Sequence, residues 1–103
     1  MSGFDIGRID DVIHGRMRLG IVAYLASAEV ADFTELRNVL NATQGNLSVH
    51  LRKLEDAGYI AIEKRFVGRK PQTLARLTDG GRKAFADYLA AISKLIERAG
   101  PTG

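Results

Sequence analysis

Residues 43–58, TQGNLSVHLRKLEDAG, predict a helix with one buried face and one outward face. Leu47, Leu51 and Leu54 recur at i, i+4 and i+7, which places them on one side of a helix with 3.6 residues per turn. The opposite face carries mostly polar and basic side chains: Asn46, Ser48, Val49, Arg52 and Lys53. Such a face is typical of a helix that contacts base edges in a DNA major groove. It is equally typical of an ordinary helix exposed to solvent.

The same stretch carries signals for both of its ends, and a second short helix precedes it. Thr43 can accept a hydrogen bond from a first-turn amide, and Gly58 can adopt the left-handed conformation that ends helices. Upstream, Asp32 and Glu35 have the spacing of a capping box before an apolar run. Two short helices joined by a tight turn form a helix-turn-helix, which we predict over about residues 32–57.

The remaining segments predict a mainly α-helical chain with one small β-hairpin, an α+β fold. A first helix is expected between residues 10 and 27, with a break near Gly15. After Gly58 the hydrophobic period falls to about 2, which predicts a hairpin over about residues 59–77 with its turn at residues 67–71.

A long final helix is predicted from Thr78, its N-cap, to about Ala99. Its apolar residues keep helical spacing throughout. A helix of this length spans about 33 Å, which is longer than a core this small can cover. Part of the apolar stripe therefore needs cover from elsewhere, most simply from a second copy of the chain.

The length of 103 residues and the apolar content of 46% are typical of one soluble domain with a modest core. The net charge of +3 is unevenly distributed. Residues 52–83 contain nine basic and four acidic side chains, a net charge of +5, so the rest of the chain carries −2. This localisation favours a polyanionic partner, although a solvated basic surface would show the same pattern.

Several protein classes are disfavoured by the sequence. Cysteine is absent, which excludes a disulfide framework and a thiolate metal site. The apolar runs are far shorter than the roughly 20 residues that span a bilayer. Asp5, Asp10 and Asp11 interrupt the place where a signal peptide would have its apolar segment. We therefore expect a cytoplasmic protein without a membrane partner.

Catalysis is also disfavoured, and no cofactor is expected. The two histidines, His14 and His50, lack catalytic neighbours, and no glycine-rich phosphate loop is present. Asp10, Asp11 and His14 lie at i, i+1 and i+4 and could offer metal ligands, but a helix cap beside a structural histidine is the favoured interpretation. His50 borders the leucine stripe, so it is either a partly buried helix residue or a DNA contact.

The order of elements and the residues themselves resemble compact single-domain winged-helix regulators of the MarR/ArsR-like group. Residues 13–21 (IHGRMRLGI) resemble the start of their first core helix, and residues 45–60 resemble their recognition helix and first wing strand. Residues 64–71 resemble the wing, and residues 77–82 (LTDGGR) resemble the start of their last helix. The resemblance covers about residues 8–97, nearly the whole 1–103 chain, which we interpret as a single domain.

The resemblance implies a homodimer that binds a near-palindromic operator in double-stranded DNA and usually represses transcription. It places these residues at or near the major groove: Thr43, Gln44, Asn46, Ser48, Val49 and His50. It implies that Arg52 and Lys53 face phosphates. It also implies that Arg65, Arg69 and Lys70 lie along the adjacent minor groove or backbone. The predicted dimerisation residues are Phe4, Ile6, Tyr88, Leu89, Ile92, Leu95 and Ile96.

Two questions stay open at the level of sequence. Winged-helix folds also serve as protein–protein adaptors, and fold alone does not decide between the two functions. ArsR-type metal sensors often use a cysteine cluster, which is absent here, and MarR proteins use longer flanking helices to shape a ligand cleft. A small-molecule effector is therefore unknown.

Overall fold

The computed structural model describes residues 5–100. A short 3₁₀ helix (Ile6–Arg8) is followed by four α-helices and three β-strands: α1 (Arg16–Ala28), β1 (Val30–Asp32), α2 (Phe33–Leu40), α3 (Gln44–Asp56), β2 (Ile60–Val67), β3 (Lys70–Leu77) and α4 (Asp79–Ala99). In this part of the chain, no helix is both long enough and apolar enough to cross a membrane.

The predicted break near Gly15 is confirmed, because α1 begins at Arg16 and a separate turn precedes it. Asp10 caps this turn: its carboxylate accepts hydrogen bonds from the amides of Val12 and Ile13 at 2.8 and 3.2 Å. Within residues 5–100, no group of three or more potential ligand side chains is arranged to hold a metal ion. The two amide hydrogen bonds give Asp10 the cap role that the sequence favoured.

The helix-turn-helix consists of α2 and α3, and side-chain caps fix where each helix begins. The Asp32 carboxylate accepts from the amide of Glu35 at 2.7 Å, and the Thr43 hydroxyl accepts from the amide of Asn46 at 3.1 Å. Gly58, at φ 81°, ends α3 in the left-handed conformation. These local bonds confirm the predicted limits of the two helices.

The sheet has three strands in the order β1-β3-β2, whereas the sequence predicted only the hairpin of β2 and β3. The additional strand, β1, pairs antiparallel with Leu74–Arg76. Three residues are too few for a hydrophobic period to be recognised, so pairing with β3 rather than local pattern makes this segment a strand. β1 directly precedes α2 and ties the start of the helix-turn-helix to the sheet.

The wing is the part of the β2–β3 hairpin that extends beyond β1. Val67 pairs with Lys70, which leaves a two-residue turn. Gly68 begins this turn at φ 65°, a conformation that glycine adopts without a steric penalty. Because β1 reaches only as far as Leu74, the wing tip is a two-stranded ribbon with exposed side chains.

The first turn of α4 is packed closely against the start of β2. Thr78 caps the helix by accepting from the amide of Gly81 at 2.9 Å. A Cβ atom at position 81 would lie 2.0 Å from the carbonyl oxygen of Tyr59, so only glycine fits here. The subunit is elongated, with extents of 56 × 25 × 21 Å along its principal axes.

Candidate nucleic-acid interface

The outward side chains of α3 are held by a fully buried inner face. Leu47, Leu51 and Leu54 pack in the core with residues of α1, α2 and the sheet. Of the α3 residues and its cap that we predicted to contact DNA, His50 is partly buried and these are exposed: Thr43, Gln44, Asn46, Ser48, Val49, Arg52 and Lys53. The buried leucines therefore fix the rotation of α3 about its axis and keep its polar face outward.

A groove of about 530 Å³ connects α3 to the wing. Gln44 and Ser48 line it from α3, and Val67, Lys70 and Gln72 line it from the β-ribbon. The helix and the wing tip therefore contribute side chains to one continuous surface rather than to separate sides of the molecule.

The two faces of the wing carry different side chains. Residues of one strand alternate between faces, so Lys64 and Phe66 share the face of the core residues Ile60 and Ile62. Lys64 lines a second groove together with Ser48 and Arg52 of α3, and Phe66 is 72% exposed. We did not predict either residue as a site residue, although the period-2 pattern from Ile60 onward indicates their face.

Arg65 lies on the opposite face of the ribbon and is held in place by hydrogen bonds. Its Nε donates to Oε1 of Gln72 at 3.0 Å, and Nε2 of Gln72 donates to the carboxylate of Asp32 at 3.4 Å. Asp32 is also the N-cap of α2. This chain of bonds links the wing to the start of the helix-turn-helix.

The cations of α3 and the wing tip are free to bind an external anion. Within residues 5–100, ion pairs join Arg8 to Asp5, Arg76 to Glu63 and Lys83 to Asp87. In that same part of the chain, these basic residues have no carboxylate within ion-pair distance: Arg52, Lys53, Lys64, Arg65, Arg69 and Lys70. Exposed cations without an ion pair, on α3 and on both faces of the wing, are suited to phosphate oxygens.

The other flank of α3 faces α1 across a groove of about 740 Å³. Thr43, Asn46 and His50 line it from the helix, and Arg16 and Arg18 line it from α1. Nη1 of Arg18 lies 3.0 Å from Nδ1 of His50. Burial lowers the pKa of His50, and the positive charges of Arg18 and Lys53 lower it further.

The residues predicted to form the dimer contact fall into three groups. Phe4 lies outside the described residues, and Ile6 is exposed in the 3₁₀ helix. Leu89 and Ile96 are 50% and 65% exposed, and between them Ile92 and Leu95 are partly buried. Tyr88 is only 4% exposed, and its hydroxyl lies 2.9 Å from Nδ1 of His14, so its side chain packs within the subunit.

Comparison with known proteins settles the family. Residues 17–96 match the family model of a winged helix DNA-binding domain. This protein belongs to that family. An uncharacterised protein of Methanocaldococcus jannaschii is 34% identical over 84 residues, which are 82% of this chain and 91% of the relative.

Solved structures of transcriptional regulators share the fold of this winged-helix protein. A transcriptional regulator homologue from Pyrococcus horikoshii is 29% identical with a TM-score of 0.80, covering 86% of this chain and 88% of that one. A MarR family regulator from Silicibacter pomeroyi has a TM-score of 0.63 at 19% identity, covering 85% of this chain and 56% of that one. An ArsR family regulator has a TM-score of 0.58 at 21% identity, covering 89% and 90%. The winged-helix fold that the MarR/ArsR-like resemblance implied is confirmed.

Proposed function

We propose that this winged-helix protein is a sequence-specific transcriptional regulator that binds duplex DNA as a homodimer and represses from a near-palindromic operator. The observation that carries the proposal is the groove in which Gln44 and Ser48 of α3 meet Lys70 of the wing. A helix in the major groove and a basic ribbon along the neighbouring backbone or minor groove would bind one face of a double helix. Repression is part of the proposal because the resemblance of the sequence to MarR/ArsR-like regulators implies it.

In this proposal α3 reads bases, and the cations around it position the helix. Gln44, Asn46, Ser48, Val49 and His50 have the hydrogen-bonding and apolar groups that base edges recognise. Phosphates are contacted by the cations that have no ion pair within residues 5–100: Arg52, Lys53, Lys64, Arg65, Arg69 and Lys70. Lys64 is added to the cations predicted from sequence because it lines a groove with Ser48 and Arg52.

The homodimer is supported by the apolar stripe of α4. Leu89 and Ile96 are 50% and 65% exposed on a helix whose later turns have little cover from the other residues between 5 and 100. A two-fold symmetric pairing of this helix with its copy would bury the stripe and present two copies of α3 to two half-sites. The spacing of those half-sites would then follow from the dimer geometry.

The test is the salt dependence of DNA binding by two matched variants, measured by fluorescence anisotropy. Arg69→Ala removes an unpaired cation at the wing tip, and Lys94→Ala removes an exposed cation from α4. We expect Arg69→Ala to weaken binding to all sequences alike and to reduce the slope of log K against log salt by about one.

Lys94→Ala should leave both the affinity and the slope unchanged, because Lys94 lines a groove to which no residue of α3 or the wing contributes. Binding that does not depend on salt would contradict the proposal. It would favour the alternative function, a winged-helix protein–protein adaptor, for which the exposed Phe66 and Val67 of the wing offer an apolar contact.

A further inference from the structure

Arg18 of α1 holds His50 of the recognition helix α3 in a fixed hydrogen-bonding arrangement. The guanidinium group donates through Nε to the carbonyl oxygen of Val12 and through Nη2 to that of Asp11, the latter at 3.5 Å. Its remaining nitrogen, Nη1, lies 3.0 Å from Nδ1 of His50. The turn that precedes α1 therefore orients the arginine, and the arginine reaches across to α3.

The chemistry of the two side chains decides the tautomer of His50. A guanidinium group has five N–H donors and no acceptor, so a hydrogen bond to it requires Nδ1 of the histidine to accept. An accepting Nδ1 carries no proton. The neutral ring must then carry its single proton on Nε2. The lowered pKa of His50 agrees with a neutral ring at pH 7.

The proton on Nε2 is available to an external partner. Within residues 5–100, Nε2 has no hydrogen-bond partner, and no buried side-chain nitrogen or oxygen there is left unpaired. Because His50 is only partly buried, its unpaired Nε2 must be open to solvent. The ring lines the groove beside Thr43 and Asn46, which are exposed at the N-terminal end of α3.

We propose that Arg18 is a positioning residue that fixes His50 as a hydrogen-bond donor at the DNA interface. His50 then recognises an acceptor through Nε2–H: a purine N7, guanine O6 or thymine O4 on a base edge, or a phosphate oxygen. Without Arg18 either ring nitrogen can carry the proton, so the histidine no longer presents one defined group. This inference rests on the proposed function, in which α3 faces duplex DNA.

The first test examines the free protein by NMR with ¹⁵N-labelled histidine, using His50→Leu to assign the signals. We expect the ring of wild-type His50 to be protonated on Nε2 at pH 7.5. Arg18→Met should raise the pKa of His50 toward its ordinary value, because a neighbouring positive charge is lost. Arg18→Lys, which keeps a cation and a donor, should largely preserve the wild-type titration.

Arg16→Met is the matched control for this measurement. Arg16 is exposed, lies on the same helix and lines the same groove, but it has no hydrogen bond to His50. Its replacement should leave the titration of His50 unchanged. A wild-type ring protonated on Nδ1, or a titration that Arg18→Met does not shift, would overturn the inference.

The second test is a double-mutant cycle on a duplex that the wild-type protein binds. His50→Leu should lower affinity roughly tenfold, which is typical of losing one base contact. Arg18→Met should lower affinity to a similar extent, and the double variant should lose no more than His50→Leu alone, because Arg18 acts through His50. Losses that multiply in the double variant would contradict this role.

The pattern of loss identifies the acceptor. A base-edge acceptor confines the loss to duplexes with one particular base pair in each half-site, whereas a phosphate acceptor gives an equal loss on every sequence. Full affinity of His50→Leu would overturn this inference and leave the proposed function intact. A wild-type protein that bound no duplex would overturn the proposed function, and with it the recognition role, whereas the NMR test of the Arg18–His50 pair would still stand.

Discussion

The helices α3 and α4 are both amphipathic, but their apolar stripes have different surroundings. The leucines of α3 (Leu47, Leu51 and Leu54) are buried in the core, whereas Leu89 and Ile96 of α4 remain largely exposed. Accordingly α3 presents a polar surface to its surroundings, and α4 presents an apolar one. The comparison shows that the same hydrophobic period produces two kinds of surface: a polar and basic one where the stripe is buried, and an apolar one where the stripe is exposed.

The largest expected effect comes from truncating one leucine on each stripe. Leu54→Ala should lower the free energy of unfolding by about 2–5 kcal/mol, because it leaves a cavity in the core. Leu89→Ala should change the stability of the isolated subunit by less than about 0.5 kcal/mol. Urea denaturation at low protein concentration measures both values.

The same two variants, Leu54→Ala and Leu89→Ala, can also be compared at higher protein concentration, where self-association is expected. Sedimentation should show that Leu89→Ala weakens self-association, while the folded fraction of Leu54→Ala still associates. Equal losses of stability in the two variants would mean that the α4 stripe is covered within the subunit after all.

The second-largest expected effect concerns the packing of α4. Its first turn is in close contact with the backbone of Tyr59, whereas its last turns are largely exposed. Gly81→Ala should destabilise the protein by about 1–3 kcal/mol, because the new Cβ would meet the Tyr59 carbonyl oxygen at 2.0 Å. Gly80→Ala is the matched control: its Cβ would have only ordinary contacts at 3.7 Å, and alanine favours a helix. Thermal unfolding should therefore shift in opposite directions, and a loss in both variants would contradict this account.

A smaller effect tests the outer face of α3. Gly45 is exposed, and a Cβ atom there would touch nothing within the described chain. Gly45→Ala should therefore raise the free energy of unfolding by up to about 1 kcal/mol. If the backbone of α3 approaches DNA closely at this point, the same change should weaken DNA binding. An unchanged affinity would mean that α3 approaches DNA most closely at another position along the helix.

The smallest effect concerns Tyr59, which follows α3 and donates its hydroxyl hydrogen to the Asp10 carboxylate at 2.5 Å. This hydrogen bond, burial and the charge of Asp10 raise the pKa of Tyr59 from 10.0 to about 12. The folded state therefore holds the proton more tightly than the unfolded state. The resulting stabilisation is present below pH 10 and is lost as the pH rises toward 12.

Tyr59→Phe should remove this part of the decline at high pH. The measurement is the difference in urea midpoint between wild type and variant at pH 8 and at pH 11. The difference should shrink as the pH rises, and a constant difference would mean that the hydroxyl does not contribute through its proton.

Sequence predicted the features that depend on local chemistry. Thr43 and Thr78 cap helices because a threonine hydroxyl can accept a hydrogen bond from a free amide of the first turn at the start of any helix. The strand β1 was missed because only its partner in β3 makes it a strand. Tyr88 fits the periodic stripe of α4, but periodicity cannot tell whether its own subunit or another covers a residue.

The candidate site shows the same limit. Arg69 and Lys70 were predicted as site residues because they are basic and lie at the turn of the hairpin. Lys64 and Phe66 were not predicted, because their place on one face of the ribbon depends on the alternation of residues along the paired strand. The contact between Arg18 and His50 joins residues 32 apart in sequence. No local pattern encodes it, because it depends on how α1 packs beside α3.

The central claim is that the outer face of α3 and the wing form one surface that binds duplex DNA. Selection of bound fragments from randomised duplex DNA by the full chain tests it most directly. We predict enrichment of two similar half-sites in inverted orientation, and loss of that enrichment when Gln44 and Lys70 are both replaced by alanine. Recovery of unrelated sequences only, or an enrichment that the double variant leaves intact, would contradict the claim.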